Sequence, residues 1–316
     1  MDVTAPDVSL IAHKYLNRRI NTITILSGGR SNEAWSVSTD NGRYVLRKHQ
    51  HGAFHWQRAY LFGEFLRSCS ATNPKIIHPI RLASGLSHLN SAGAWYSLWP
   101  YVDGIAGRQN AGLLDEVIVA LQTLHGQDHS ITSWYPPIVS TPDLLHQLRD
   151  FFSQDYSSSL RAYRPFIIDA LNRAIIEASS IQVSNFRVVH GDAHPRNTIS
   201  IDNVLAGLID YDSMHVTEPD YDFAVTIESF ARIESGTGTA YDEQLMCDVI
   251  DRFSSAEQNS NAGSFASTFP AFVYRKLANV LRFVCQNGLS NSEDVTRCVN
   301  RLLAFRDFHI RFLKIR

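Results

Sequence analysis

From its amino end the chain alternates between two textures of apolar spacing. Within residues 7–18, Val8, Ile11, His13 and Tyr15 fall at imperfect helical intervals, which predicts a short leading helix. Ile20–Leu26, Ala34–Thr39 and Tyr44–Leu46 then alternate polar and apolar positions, the period of a strand with one buried face. Ser27-Gly28-Gly29-Arg30-Ser31-Asn32 separates the first two runs, and Asp40-Asn41-Gly42 is a tight-turn signal between the second and third. Together these segments predict an antiparallel meander. Residues 54–67 read as a helix, and Ala94–Tyr101 as a further strand.

Beyond Asp103-Gly104 the period becomes mostly helical. Leu113–His125 places Leu114, Val117, Leu121 and Leu124 on one face. Residues 163–179, 240–253, 269–286 and 292–314 predict four more helices, and one strand-rich interruption falls between Arg187 and Asp210. Ser254–Ser267, rich in Ser, Asn, Ala and Gly, reads as a surface loop. The expected architecture is therefore α+β and two-lobed. A β-rich small lobe over 1–102 joins a mainly helical lobe over 103–316 through a hinge at 99–104.

Composition changes this picture only by exclusion. With 316 residues there is room for two lobes, and 44% hydrophobic against 19% charged residues is ordinary for a globular chain. Lys and Arg number 29 against 31 Asp and Glu, which leaves no footprint for nucleic acid or an anionic membrane. Cys69, Cys247, Cys285 and Cys298 are scattered without metal-ligand spacing, as free thiols in a reducing compartment would be. Met1–Pro6 lacks the basic and apolar regions of a secretion signal, and no run approaches the ~18 apolar residues of a membrane span. The expected location is the cytoplasm.

The chemistry concentrates in Val189-His190-Gly191-Asp192-Ala193-His194-Pro195-Arg196-Asn197 and in Gly207-Leu208-Ile209-Asp210-Tyr211-Asp212. Val188 and Val189 deliver the chain to a polar loop holding Asp192 and, five residues on, Asn197. Thr198–Ile201 and Val204–Ile209 alternate as a hairpin around Asp202-Asn203. A two-residue turn sets Asn197 opposite Leu208, with Asp210 diagonally adjacent on the same face. A carboxylate and an amide carbonyl so placed suit hard Mg2+. A separate carboxylate, Asp192, suits the task of orienting an acceptor hydroxyl and taking its proton.

H-G-D-x-x-x-x-N followed by I-D-x-D resembles the aminoglycoside phosphotransferase/choline kinase superfamily, whose fold is protein-kinase-like. Further landmarks follow in that family's order. Ser27–Asn32 is similar to its glycine-bearing nucleotide loop, and Tyr44-Val45-Leu46-Arg47 to the strand with its phosphate-binding cation. Trp99–Gly104 is similar to its hinge, and Asp220-Tyr221-Asp222-Phe223-Ala224 to the segment after the metal ligands. The resemblance implies an ATP- and Mg2+-dependent kinase that phosphorylates a hydroxyl of a small molecule. It implies Asp192 as base, Asn197 and Asp210 as metal ligands, and Gly28, Gly29, Ser31, Asn32, Arg47, Trp99 and Tyr101 as nucleotide contacts. Asp212 is either a second metal ligand or a carboxylate satisfied by backbone, and His190 is expected to support the loop.

Two departures stand out. The family often carries Lys at the Arg47 position, and a helical Glu normally pairs with it. Here that stretch reads Trp56-Gln57-Arg58-Ala59-Tyr60, and Glu64, two helical turns beyond Gln57, is the candidate replacement. A nucleotide-binding pseudoenzyme is the competing class. A metal-hydrolase run at His190, Asp192 and His194 is a further one, but it leaves the glycine loop and hinge unexplained. From Ser264 to Arg316 there are nine Lys and Arg against three acids, which argues against polycationic aminoglycosides, although an aminoglycoside-type antibiotic kinase stays an alternative. The helix Tyr274–Val284 resembles the C-terminal helix of homoserine-kinase-like and N-acetylhexosamine-kinase-like members, which implies an amino acid, amino alcohol or sugar as acceptor, with Arg282 as its contact. Nothing in the sequence sets the oligomeric state.

Overall fold

The structure is a computed structural model that describes residues 5–26, 32–49, 56–107, 110–127, 140–154, 160–181, 186–235, 238–256, 265–286 and 292–315. Along the chain, helix α1 (Ala5–Leu16) precedes strands β1 (Thr22–Ile25), β2 (Asn32–Thr39) and β3 (Gly42–His49). Helix α2 (Trp56–Thr72), strands β4 (His88–Ser91), β5 (Ala94–Pro100) and β6 (Ile105–Ala106), and helices α3 (Ala111–His125), α4 (Thr141–Ser153) and α5 (Arg164–Ala178) follow. Next come β7 (Arg187–Val189), β8 (Thr198–Ile201), β9 (Val204–Leu208), β10 (His215–Thr217) and α6 (Asp220–Ala231). The hairpin β11 (Arg232–Ser235) and β12 (Gly238–Tyr241) leads to α7 (Glu243–Ala256), α8 (Phe265–Gln286) and α9 (Ser292–Ile315). The chain divides into two compact units: Met1–Gly107, Gln122–Tyr135 and Thr198–Ile209 form the first, and Arg108–Leu121, Pro136–Asn197 and Asp210–Arg316 the second.

The first unit is built on an antiparallel sheet of order β1-β2-β3-β5-β4. Strand alternation decides what each face carries. Trp35, Val37, Leu46, Tyr96 and Leu98 pack with Val8, Ile11, Ala12 and Tyr15 of α1, and the Tyr15 hydroxyl donates to Tyr96 O at 2.7 Å. Arg47, opposite Ala34 and Ser97, therefore lies on the face away from α1. Asp40-Asn41 closes β2–β3 as a two-residue turn, with Thr39 paired to Gly42.

The second hairpin, β8–β9, departs from simple alternation. Asp202 and Asn203 both have positive φ (51° and 65°), the two-residue turn whose twist matches paired strands. Ile201↔Val204 and Ser200↔Leu205 keep that register, but a bulge follows and the next pairs are Ile199↔Gly207 and Thr198↔Leu208. Leu208 thus faces Thr198 rather than Asn197, because Ala206 is an extra residue in one strand.

In the second unit the described helices enclose an aromatic core that includes Phe265, Phe269, Phe272, Tyr274, Phe305 and Phe308. Helix α4, absent from the sequence expectation, starts at a Ser140 cap with proline in its first turn and buries Leu144, Leu145, Leu148 and Phe152. The expected 254–267 loop is shorter at both ends: α7 runs to Ala256 and α8 begins at Phe265, with Pro270 inside it. Residues 257–264 lie outside the described residues. Among the described residues no helix is long and apolar enough to cross a membrane.

Candidate active site

Strand β7 carries Val188 and Val189, both fully buried, and pairs with β10 so that Val189 faces His215. The chain must leave this pairing sharply, and Gly191 does so at φ +79°. A Cβ there would meet Ser213 O at 2.4 Å and the His215 ring at 3.0 Å, so only glycine fits. Asp222, buried at the start of α6, accepts from the backbone N–H of His190 at 2.6 Å and of Gly191 at 2.7 Å. Both amides at the bend are thus satisfied by one carboxylate, which locks the loop. The His190 ring, buried against Tyr211 at 4.8 Å between centroids, accepts from Asp192 N at 3.3 Å.

Asp192 emerges from this clamp with a half-buried side chain. Its Oδ1 accepts from Lys276 Nζ at 2.7 Å, and its Oδ2 lies 3.6 Å from His194 Nε2. Burial pushes the Asp192 carboxyl up, but the Lys276 ammonium outweighs that and holds it below its usual value. Reciprocally, burial depresses Lys276 while Asp192 raises it, with a net rise. The pair is therefore anion and cation at neutral pH. Burial lowers His194, which keeps it neutral there.

Asn197 ends a single 3-10 turn, Pro195–Asn197, and is buried. Its Nδ2 donates to Asp192 O at 2.9 Å, which leaves Oδ1 as the amide's acceptor. Asp210 sits at φ 65°, ψ 67°, ahead of the turn Tyr211–Ser213; Asp is among the few side chains that enter this left-handed region. The expected pairing of Asn197 with Leu208, on which the expected place of Asp210 rests, is corrected here. Asn197 belongs to a turn, β9 stops at Leu208, and the bulge shifts the pairing by one. Asn197 Oδ1 and the Asp210 carboxylate are oxygen donors, the kind of ligand that hard Mg2+ takes alongside phosphate and water. Among the described residues no group of three or more His, Cys, Asp or Glu is gathered to hold a metal alone, so the His190-Asp192-His194 run makes no hydrolase-type centre there. Asp212 is exposed on the turn after Asp210.

Lys276 was not among the residues expected at the site. It lies on α8, where Arg275 anchors the helix: its buried guanidinium donates to Thr141 Oγ1 and Thr217 Oγ1 at 2.7 Å each and to Glu218 Oε2 at 3.2 Å, and stacks on Tyr221. Arg282, expected as an acceptor contact, is six residues further along. That is ~9 Å of rise and roughly 240° of rotation from Lys276, so the two do not share a face. Arg282 is half-buried.

In the first unit, Trp99 shares the Arg47 face and donates from Nε1 to Ser97 Oγ at 2.8 Å. The Tyr101 ring is covered by the Arg43 guanidinium at 4.2 Å, and Arg43 also pairs with Asp103. Gly104, at φ +135°, leaves only 2.6 Å between a Cβ and Ser200 O. Lys48 faces the α1 side and pairs with Glu33 at 2.9 Å. Glu64 does not take the place of a helical partner for Arg47: both its oxygens are engaged by Arg81, with Arg67 beside them. Gly28, Gly29 and Ser31 lie outside the described residues, and of Asn32 only the backbone, paired with His49, is described.

The sequence profile of the phosphotransferase enzyme family (APH) matches residues 22–246. No curated protein sequence matches the chain significantly. Among solved structures, the spectinomycin phosphotransferase APH(9)-Ia, in complex with ADP and spectinomycin, superposes with a TM-score of 0.68 at 13% identity, covering 97% of this chain and 99% of that one. A thermostable mutant of the aminoglycoside phosphotransferase APH(4)-Ia with ADP and hygromycin B gives 0.66 at 13% identity over 95% and 98%. The amicoumacin kinase hAmiN with AMP-PNP, Ca2+ and Ami gives 0.69 at 11% identity over 95% and 93%. At these identities the likeness is one of fold.

Proposed function

Because the chain belongs to the phosphotransferase enzyme family, we propose that it transfers the γ-phosphoryl group of ATP to a hydroxyl of a small molecule, with Asp192 as the base. The observation that carries this reading is the clamp at His190-Gly191. Asp222 holds both amides of the bend, and the loop presents one carboxylate, kept anionic by an adjacent cation. A carboxylate so fixed can orient an acceptor hydroxyl and take its proton as the O–P bond forms.

Asn197 and Asp210 would hold Mg2+, which when bound supplies charge neutralisation for the phosphate oxygens. Arg47 meets the nucleotide phosphates; it stays charged and can bind an oxygen pair bidentately. Trp99, Tyr101 and the Gly28–Asn32 stretch serve the nucleotide in this reading. The nucleotide complexes of APH(9)-Ia, APH(4)-Ia and hAmiN support ATP as donor. The acceptor is an amino acid, an amino alcohol or a sugar, and cytoplasmic ATP supplies the donor.

The test is acceptor-dependent ADP release with Mg-ATP, over a panel of homoserine, choline, amino sugars, methylthioribose and aminoglycosides. Turnover on one acceptor, lost in Asp192→Ala while Mg-ATP affinity stays within about twofold, is the expected result. An Asp192→Ala enzyme that turns over as fast as the wild type would sink the assignment.

A further inference from the structure

Lys276 lies 84 residues from Asp192 along the chain, yet its ammonium reaches both Asp192 Oδ1, at 2.7 Å, and Gly191 O, at 2.8 Å. Two of its three N–H groups are thereby spent on the loop that presents the carboxylate. Oδ1 is held from one side, while Oδ2 looks toward His194 at 3.6 Å, beyond hydrogen-bonding distance. The Lys276 side chain keeps 19% of its surface exposed, and that of Asp192 32%. So both side chains keep some surface where the loop presents the carboxylate.

The groups around this pair come from several elements. His190 and His194 share the Asp192 loop, Tyr221 and Glu228 act on Lys276 from α6, and Arg232 of β11 acts on His194. Glu228 is itself occupied, with Arg232 at 3.2 Å and the Tyr241 hydroxyl at 2.9 Å. Arg275, the residue before Lys276, is bonded to Thr141, Thr217 and Glu218. The ammonium is therefore delivered by a helix that is itself pinned, not by a mobile surface chain.

We propose that Lys276 is a positioning residue for phosphoryl transfer: it fixes the Asp192 carboxylate by Oδ1, leaves Oδ2 to the acceptor hydroxyl, and selects neutral or anionic acceptors over polycationic ones. This rests on the reading of Asp192 as the base. A fixed ammonium beside the reacting hydroxyl repels an approaching amine and attracts an anionic group. Lys276 does not itself exchange a proton with the substrate in this scheme.

The experiment compares wild type, Lys276→Met, Lys276→Arg and Asp192→Ala in two readouts. The first is slow Mg-ATP hydrolysis, with water standing in for the acceptor hydroxyl, read as kcat and as KM for Mg-ATP. The second is the acceptor panel, scored as the ratio of kcat/KM for neutral or acidic acceptors to that for aminoglycosides. Lys276→Met should lower kcat on the order of a hundredfold with KM for Mg-ATP unchanged. Lys276→Arg, which keeps the charge and fold even where the Met variant loses native circular dichroism, should recover most of it. On any acceptor consumed, the neutral-to-polycation ratio should fall at least about tenfold in the Met variant.

Hydrolysis equal in wild type and Asp192→Ala, or absent from wild type, would overturn the reading of Asp192 and this inference with it. A slow Asp192→Ala beside an unimpaired Lys276→Met, or a Lys276→Arg no better than an impaired Met variant, would overturn the role of Lys276 and leave the base standing. A wild type that prefers aminoglycosides would overturn the charge selection.

Discussion

Gly191 and Asp210 show how single backbone conformations hold the chemistry. Both have positive φ, but for different reasons. At Gly191 the neighbours leave no room for a Cβ, whereas at Asp210 a short polar side chain tolerates the left-handed region. Gly191→Ala should therefore lose about 1–3 kcal/mol from the backbone alone, more with the 2.4 Å approach to Ser213 O, and urea unfolding measures it. Asp210→Asn should keep the backbone conformation at this position, since Asn enters the same left-handed region. Mg-nucleotide affinity, read by calorimetry, should fall roughly 10–100-fold as the charge is removed.

At the scale of elements, α6 and α8 carry most of what periodicity misses. Helix α6 is buried on all sides from Tyr221 to Ala231, so it has no polar face to generate an amphipathic period. Only its first residues stood out, as a motif. Asp222 among them proves to be the residue that closes the loop, and its buried position inside a helix explains why its spacing gave no functional hint. Asp222→Asn replaces one acceptor oxygen with a donor facing a backbone N–H. It should destabilise the second unit by about 1.5–3 kcal/mol per charged hydrogen bond lost and lower kcat, as denaturant and steady-state measurements would show. In α8, Arg275→Met leaves Glu218 buried without its cation, which costs about 3–5 kcal/mol; thermal unfolding is the check. The signal for α4 was present in the chain, as Ser140-Thr141-Pro142-Asp143 ahead of Leu144, Leu145 and Leu148.

For the whole molecule, buried histidines tie stability to pH, His88, His215 and His309 most strongly among the described residues. Burial pushes His88 down to about 3, and His215 and His309 to about 4. The unfolded chain takes up these protons below roughly pH 6.5, where the folded protein does not. Stability is therefore complete above pH 6.5 and falls as pH drops toward the folded values. Each histidine contributes about 1.4 kcal/mol per pH unit across that window. His309→Gln should reduce the slope of unfolding free energy against pH, between pH 6 and 4, by that amount; an unchanged slope would show that His309 is protonated in the folded state.

The sequence by itself determined the two textures, the β meander followed by helices, because alternation and helical period are local properties of a chain with one buried face. It also determined the candidate base, since the spacing around Asp192 lies within a single loop. Tertiary structure decided what depends on contacts between distant segments. The bulge in β8–β9 moved the register that alternation assigned to Asn197, because the pattern of side chains does not count an extra residue. Arg81 claimed Glu64, and strand facing separated Arg47 from Lys48, which turns toward Glu33. Lys276 reaches Asp192 from α8, a helix packed among the others and held at Thr141, Thr217 and Glu218 by Arg275. A cation 84 residues away leaves no trace in local spacing; its partner is chosen by the packing of helices.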